Sequence, residues 1–123
     1  MRIGQLALRA GLAPSAIRYY ESIGILKPPA RVSGRREYAN SALDTLQFVQ
    51  AAQRAGFTLA ETRELVGLLR SGGPDPWPSI ARRKLVELDA SIAKLTMARR
   101  LLASAMNCAC EGKIDACALV ADR

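Results

Sequence analysis

The sequence predicts a mainly α fold, with a winged helix-turn-helix head, a linking pair of helices and one long C-terminal helix. Three observations support it. Two short apolar patterns lie on either side of Gly11, a segment rich in arginine follows with Ser-Gly at its centre, and apolar residues recur at heptad spacing after residue 79. Two short helices joined by a turn containing glycine are typical of a helix-turn-helix. Heptad spacing is typical of long helices that pair with another helix.

The first two helices are defined by their apolar faces and their end signals. The apolar residues of the first helix share one face: Ile3, Leu6, Ala7 and Ala10. Gly11 is expected to end that helix. Pro14 and Ser15 open the second, which we expect to continue to about Ile23 before Gly24.

The second helix carries the candidate base-reading residues. In a helix-turn-helix this helix enters the major groove with its N-terminal part toward the base edges. We therefore expect Ser15 and Arg18 to face DNA, and Ile17 to point inward toward Leu6. Tyr19 is expected to lie in the core.

Residues 31–38 predict a two-stranded wing whose turn falls at Ser33-Gly34. Its three arginines can bind phosphates by bidentate hydrogen bonds: Arg31, Arg35 and Arg36. The hydroxyls of Tyr20 and Tyr38 can add phosphate contacts. The alternative for both tyrosines is packing between the helix and the wing.

The charge of the chain is concentrated in its N-terminal third. The 123 residues have a net charge of +7, and residues 1–40 contain seven Lys/Arg against two Asp/Glu. A local charge of +5 is what binding to a phosphate backbone needs. A solvated basic face would give the same count, so charge alone leaves both interpretations open.

The linking helices are predicted from two capping signals. Asn40 or Ser41 is expected to cap the first, where residues 41–44 resemble a capping box. Residues 58–61, Thr-Leu-Ala-Glu, form a second capping box, and that helix should end near residues 71–73. We take residues 1–70 as the DNA-binding domain with its linking helices.

Residues 71–78 contain two glycines and three prolines and predict a hinge without helix. Ser79 should then cap a dimerisation helix over residues 79–106. Its apolar residues recur at intervals of 3, 4, 3 and 7: Leu85, Leu88, Ile92, Leu95 and Leu102. Pairing with a second copy would bury this stripe and make a homodimer; the alternative is packing against the head.

Several function classes are disfavoured by composition. No stretch approaches the length of a membrane span, and the N-terminus lacks the apolar core of a signal peptide, so a cytoplasmic protein with no membrane partner is expected. Histidine is absent, and neither a phosphate-binding glycine loop nor a carboxylate pair is recognisable. We therefore expect no enzymatic activity.

The three cysteines lie within ten residues of one another, at Cys108, Cys110 and Cys117. Soft thiolates suit Hg(II), Cu(I), Cd, Pb or Zn. A disulfide switch between Cys110 and Cys117 is a further possibility. The remaining alternative is that these are ordinary thiols without a function.

Several motifs agree in spacing with one known family. They are Ile3-Gly4-Gln5-Leu6-Ala7, Ala16-Ile17-Arg18-Tyr19-Tyr20-Glu21, Gly24-Ile25-Leu26-Lys27-Pro28, residues 31–38 and Ala55-Gly56-Phe57-Thr58-Leu59. Together they resemble the MerR family of bacterial transcription regulators, in its metal- or redox-responsive branch. The resemblance covers residues 1–106 in order and includes the cysteine-containing tail, residues 107–123.

The resemblance implies a long C-terminal antiparallel coiled coil that joins two copies. It also implies a mechanism, in which the dimer distorts promoter DNA so that RNA polymerase can use it. By motif, the implied contacts with double-stranded operator DNA are Ser15, Arg18, Tyr20, Arg31, Arg35, Arg36 and Tyr38.

The resemblance also implies an effector site in the tail. Metal-binding members keep cysteines in this location, so Cys108, Cys110 and Cys117 are the expected metal ligands. An iron–sulfur cluster is less favoured, because it needs four ligands and the chain has three cysteines. A redox-responsive regulator and an effector-free DNA-binding protein remain the alternatives.

Overall fold

The computed structural model describes residues 1–106 and 111–117. The helices are α1 (Ile3–Ala10), α2 (Pro14–Ser22), α3 (Asn40–Arg54), α4 (Leu59–Arg70) and α5 (Trp77–Ala105), with a short 3-10 turn at Ile114–Ala116. The strands are β1 (Ala30–Val32) and β2 (Arg35–Glu37). The chain divides into two compact units, the first being Met1–Pro78 and the second beginning at Ser79. This order of elements confirms the predicted mainly α fold.

The turn between α1 and α2 forms as its residues require. Gly11 adopts a left-handed conformation with φ of 68°, and its N–H donates to the carbonyls of Ala7 and Leu8. Pro14 occupies the first position of α2, where its missing N–H costs no helical hydrogen bond. The predicted helix-turn-helix is therefore confirmed.

The core of the first unit lies between α1, α2, α3 and α4. The side chains without solvent exposure include Leu6, Ile17, Ile25, Leu46 and Val49. Leu6 and Ile17 belong to the same apolar cluster, which confirms that Ile17 points inward. Thr62 is also fully buried, and its hydroxyl donates to the carbonyl of Thr58 at 2.8 Å.

The wing is a two-stranded antiparallel hairpin with Arg31 opposite Arg36 and Val32 opposite Arg35. Ser33 and Gly34 form the turn, with φ of 52° and 77°. Two successive positive φ angles are typical of the tight turns whose twist matches that of the strands. The wing and its turn are confirmed.

The predicted cap of α3 is wrong. The helix begins at Asn40, and its N-cap is Ala39, whose side chain makes no capping hydrogen bond. Residues Asn40 and Ser41 therefore lie within the first turn, and the carbonyl of Ser41 accepts from Thr45 Oγ1 at 3.0 Å. The chain stays extended through Ala39 because the backbone of Tyr38 is still paired with Met1, and it becomes helical immediately afterwards.

The capping box of α4 is confirmed. The N–H of Glu61 donates to Thr58 Oγ1 at 3.1 Å, and the N–H of Thr58 donates to Glu61 Oε1 at 2.9 Å. These two reciprocal hydrogen bonds satisfy backbone N–H donors that have no acceptor within the helix.

Replacing Thr58 by Ala should lower the free energy of unfolding by about 1 kcal/mol, because one of these backbone donors loses its acceptor. Urea unfolding at a fixed protein concentration measures the change. Thr45→Ala is the matched control, since its hydroxyl bonds a carbonyl inside α3 and caps nothing. Equal effects of the two substitutions would contradict a capping role.

The start of α5 differs from the prediction. The helix begins at Trp77, two residues before Ser79, and Asp75 Oδ1 accepts the N–H of Trp77 at 3.0 Å. Pro78 is tolerated because the backbone N–H groups in the first turn of a helix have no acceptor within the helix, so the missing N–H of proline breaks no hydrogen bond. The expectation of a hinge without helix is therefore wrong for Trp77 and Pro78, and Ser79 is not the cap.

The ring of Trp77, at the start of α5, packs beside two phenylalanine rings. It lies 6.4 Å from the ring of Phe48 and 6.2 Å from that of Phe57, measured between centroids. Both distances are typical of favourable aromatic pairs. This aromatic cluster belongs to the first unit.

The predicted dimerisation residues are exposed along α5. Their exposed fractions are Leu85 58%, Leu88 36%, Ile92 61%, Leu95 68% and Leu102 64%. The stripe is therefore open to solvent in the single chain, least so at Leu88. None of the helices in the described ranges is both long and apolar enough to cross a membrane.

Candidate nucleic-acid interface

The second helix of the helix-turn-helix presents the predicted base-reading residues to solvent. Ser15 and Arg18 are exposed, while Ile17 between them is fully buried. The burial of Ile17 against α1 determines which face of α2 is free. That face carries a hydrogen-bonding hydroxyl and a guanidinium, the groups that can contact base edges and phosphates.

The solvent exposure of the two adjacent tyrosines differs from the expectation for Tyr19. Tyr19 is 52% exposed and Tyr20 only 9%, so the prediction that Tyr19 lies in the core is wrong. Tyr20 follows the buried Ile17 by three residues and shares its helical face, whereas Tyr19 lies on the other side. Tyr19 is thus a surface residue of α2 that sequence reasoning missed. The inward position of Ile17 could have predicted it, because a residue two positions further along a helix lies on a different face. A DNA contact by Tyr20 stays a prediction.

The three wing arginines do not share one face. Arg31 and Arg36 are paired across the strands, so their side chains lie on the same face, and Arg35 lies on the other. Arg31 and Arg35 are exposed, and Arg36 is half-buried. Arg31 Nη1 donates to the carbonyl of Gly34 at 3.4 Å, which holds it beside the turn. Two guanidinium groups therefore lie on one face of the wing and one on the other.

Tyr38 connects the wing to α2. It is buried, and its hydroxyl donates to Glu21 Oε2 at 3.1 Å. Burial, this hydrogen bond and the negative charge of Glu21 raise the pKa of Tyr38, while Arg36 and Arg18 act in the opposite direction. The structure favours the packing alternative for its ring, and a phosphate contact through its hydroxyl stays a prediction.

The second carboxylate of this region, Glu37, forms ion pairs with two positive groups at the base of the wing. The amino group of Met1 lies 2.8 Å from Glu37 Oε1, and Arg2 Nε lies 3.5 Å from Oε2. The hydrogen bond from the amino group lowers the pKa of Glu37. The same amino group donates to the carbonyl of Tyr38 at 2.6 Å, and the N–H of Tyr38 donates to the carbonyl of Met1 at 2.7 Å. The start of the chain is thereby fixed to the end of β2.

The predicted metal ligands are only partly within the described residues. Cys117 is half-buried, it carries a free thiol, and its N–H donates to the carbonyl of Ile114 at 3.1 Å. Cys108 and Cys110 lie outside the described residues. Within residues 1–106 and 111–117, no three Cys, Asp or Glu side chains come together as metal ligands would. The metal site stays a prediction that rests on the chemistry of three thiols.

Two family profiles match the chain. The profile of the MerR helix-turn-helix family of regulatory proteins matches residues 1–68, and that described as "MerR, DNA binding" matches residues 43–105. Together they span the helix-turn-helix, the wing, α3, α4 and α5. The match to a family of regulators agrees with the expectation that the chain is not an enzyme.

Individual proteins give the same result. The regulator HmrR of Rhizobium leguminosarum bv. viciae is 37% identical over 114 residues, which cover 91% of this chain and 88% of HmrR. The regulator CueR of Salmonella typhi is 34% identical, covering 94% of this chain and 86% of CueR.

Solved structures agree in fold over nearly the whole chain. PbrR691 of Ralstonia metallidurans CH34, crystallised with lead(II), has a TM-score of 0.75 and 26% identity and covers 99% of this chain and 98% of its own. MerR of Bacillus megaterium MB1, in complex with mercury(II), has a TM-score of 0.71 and 28% identity, with the same coverage of both chains. Because the two profiles together span residues 1–105 and HmrR is 37% identical over 91% of the chain, the chain belongs to the MerR family of helix-turn-helix transcription regulators.

Proposed function

We propose that the protein is a homodimeric regulator that binds operator DNA, senses a thiophilic metal ion through its C-terminal cysteines and activates a promoter by distorting the DNA. The observation that carries the proposal is the basic face of the head. Arg36 of the wing lies 3.9 Å from Glu21 of α2, and the positive charges of Arg36 and of Arg18 on α2 both act on Tyr38, so two separate elements contribute guanidinium groups to one region. That arrangement suits a duplex, whose groove and flanking phosphates must be contacted together.

The homodimer supplies what one head lacks. A single helix-turn-helix reads only a few base pairs, and two heads can read half-sites roughly 34 Å apart or a multiple of it. The exposed stripe on α5, from Leu85 to Leu102, supports pairing because five large apolar side chains would otherwise remain in water. An antiparallel coiled coil is the arrangement we propose, and a cytoplasmic location follows from the DNA partner.

The proposed effector is a metal ion held by Cys108, Cys110 and Cys117. Thiolates are the ligands that Hg(II), Cu(I), Cd, Pb and Zn accept, and no other cysteine is present in the chain. Relatives support this class of effector, since one 41% identical over 69 residues is named for a mercuric resistance operon and two structural neighbours hold lead(II) and mercury(II). A metal ion bound by all three thiolates would hold the three cysteines close to one another.

Activation is proposed to act on the DNA rather than by direct recruitment. A dimer that changes the twist or bend of a bound promoter pays a deformation energy that depends on the sequence between its half-sites. Realigning the promoter elements would let RNA polymerase use a promoter that is otherwise inactive.

Arg18→Ala should weaken binding to operator DNA by about tenfold, the usual value of one good guanidinium contact with a base or phosphate. Lys94→Ala is the control, because it removes the same charge from the exposed surface of α5. Fluorescence anisotropy at fixed salt measures both. Equal affinities for the two variants would remove Arg18 from the interface.

The proposal as a whole is tested by a reporter fused to the promoter of the protein's own operon. Expression should rise when one of the five thiophilic metals is added, and it should stay at its basal level with oxidants alone. Induction by oxidants under metal-free conditions would favour the redox alternative. A protein that occupies the promoter but never changes its expression would match the effector-free alternative.

A further inference from the structure

Glu21 is a carboxylate in the middle of the basic face. It lies in the last turn of α2, between the exposed Arg18 and the wing. Two effects oppose a negative charge there. The carboxyl end of a helix carries partial negative charge and disfavours an anion, and DNA phosphates repel one. A residue that is unfavourable for both reasons needs a compensating role.

The contacts of Glu21 indicate that role. Its Oε2 accepts the hydroxyl hydrogen of Tyr38 at 3.1 Å, and its Oε1 lies 3.9 Å from Arg36 Nε. The side chain of Glu21 is only 15% exposed, and that of Arg36 is 33% exposed. Each carboxylate oxygen therefore contacts a different residue of the wing. Both contacts are partly shielded from water, and this shielding makes them stronger than the same contacts would be at an open surface.

These two contacts fix the wing relative to the helix. Arg36 lies within β2, and the buried Tyr38 follows directly after it, so Glu21 contacts the wing at two points two residues apart. Two contacts resist rotation as well as separation, which one contact does not. The ion pair places Glu21 beside Nε of Arg36, and the terminal nitrogens of the guanidinium can donate to an oxygen of a phosphate.

We infer that Glu21 is a positioning residue for DNA recognition: it fixes the wing against α2 and thereby raises the affinity for operator DNA relative to random DNA. The inference deepens the proposed function and depends on it for the DNA. A rigid pair of elements contacts the groove and the adjacent phosphates in one register without a further ordering cost at binding. Random DNA is bound mainly through charge and gains little from that geometry.

The sign of the affinity change separates positioning from charge. The probes are a duplex selected from a random library by the wild-type protein and a scrambled duplex of the same length. Glu21→Ala should weaken binding to the selected duplex by about tenfold, because a partly buried hydrogen bond and an ion pair are lost. Binding to the scrambled duplex should stay equal or strengthen by about twofold, since one repulsive charge is removed.

The control variants divide the effect further. Glu21→Gln keeps an oxygen that can accept from Tyr38 and should lose less selectivity than Glu21→Ala. Asp89→Asn removes one negative charge from the exposed surface of α5 and should leave the ratio of the two affinities unchanged. A parallel rise in both affinities for Glu21→Ala would mean that Glu21 acts only through its charge, and would overturn the inference.

A DNA-independent measurement keeps this test separate from the proposed function. In Glu21→Ala the pKa of Tyr38, followed by NMR of its ring carbon, should fall, because the hydrogen bond and the negative charge of Glu21 both raise it in the wild type. An unchanged titration of Tyr38 would overturn the positioning contact. If the wild-type protein instead selects no duplex from the library, the proposed function fails, and the claim for DNA selectivity fails with it.

Discussion

Replacing Ile92 by Asp should convert the protein from dimer to monomer. Ile92 lies at the centre of the apolar stripe and is 61% exposed in the single chain, so the substitution leaves the fold of each chain intact. In a symmetric dimer two isoleucines are lost and two carboxylates are buried, at a cost of several kcal/mol. The dissociation constant of the dimer should rise by about a thousandfold or more. Sedimentation equilibrium over a range of concentrations measures it.

The matched control for this prediction is Met97→Asp. Met97 is also an exposed apolar residue of α5, at 53%, but it lies on the opposite side of the helix from the stripe. The Met97→Asp variant should remain dimeric and bind operator DNA as the wild type does. Dimers that persist in Ile92→Asp, or monomers in both variants, would show that the heptad stripe is not the interface.

Replacing Cys110 by Ser should abolish induction while leaving operator binding unchanged. A serine hydroxyl is a poor ligand for a soft metal and is not ionised at neutral pH, so the site loses one of its three thiolates. The proposed DNA-binding residues lie in the first unit, and the substitution lies in the tail. A promoter reporter should stay at its uninduced level with every metal, and anisotropy should give the wild-type affinity for the operator.

Two further variants identify the chemistry behind that result. Cys117→Ser should have the same effect if the three cysteines act as one metal site, and Ala109→Ser is the control for the substitution itself. If Cys110→Ser still responds to a metal, the tail is not the sensor. If the wild-type response instead requires an oxidant and metal chelators do not suppress it, a disulfide between Cys110 and Cys117 explains it better.

The head was largely predictable from sequence because local signals determine it. Gly11 must take a left-handed conformation, and the Ser33-Gly34 pair favours a tight hairpin turn. The capping box of Thr58 and Glu61 needs only residues three apart. Each of these features depends on a few neighbouring residues, so no knowledge of the tertiary structure was needed.

The errors fall where tertiary contacts decide. The first residues of α3 and α5 were misplaced because pairing of Tyr38 with Met1 and packing of Trp77 against two phenylalanines determine where those helices begin. The exposure of Tyr19 followed from the buried position of Ile17, which fixes the rotation of α2.

The interface shows the same division between local and tertiary information. Composition identified the basic segment and its three arginines, and the strand register places Arg35 on the face opposite Arg31 and Arg36. Glu21 is an ordinary residue of the motif in sequence, and its contacts with Tyr38 and Arg36 join segments 15 or more positions apart. No pattern within α2 or within the wing indicates them.

Footprinting of the promoter with and without metal tests the central claim most directly. The claim is that a dimer stays on its operator and changes the DNA when the cysteines bind metal. Wild-type protein should protect the same two half-sites in both conditions, and cleavage at the centre of the site should increase only when metal is present. The triple variant with Cys108, Cys110 and Cys117 replaced by Ser should protect the half-sites and never show the central change. Loss of protection on adding metal, or a central change that persists in the triple variant, would contradict the account.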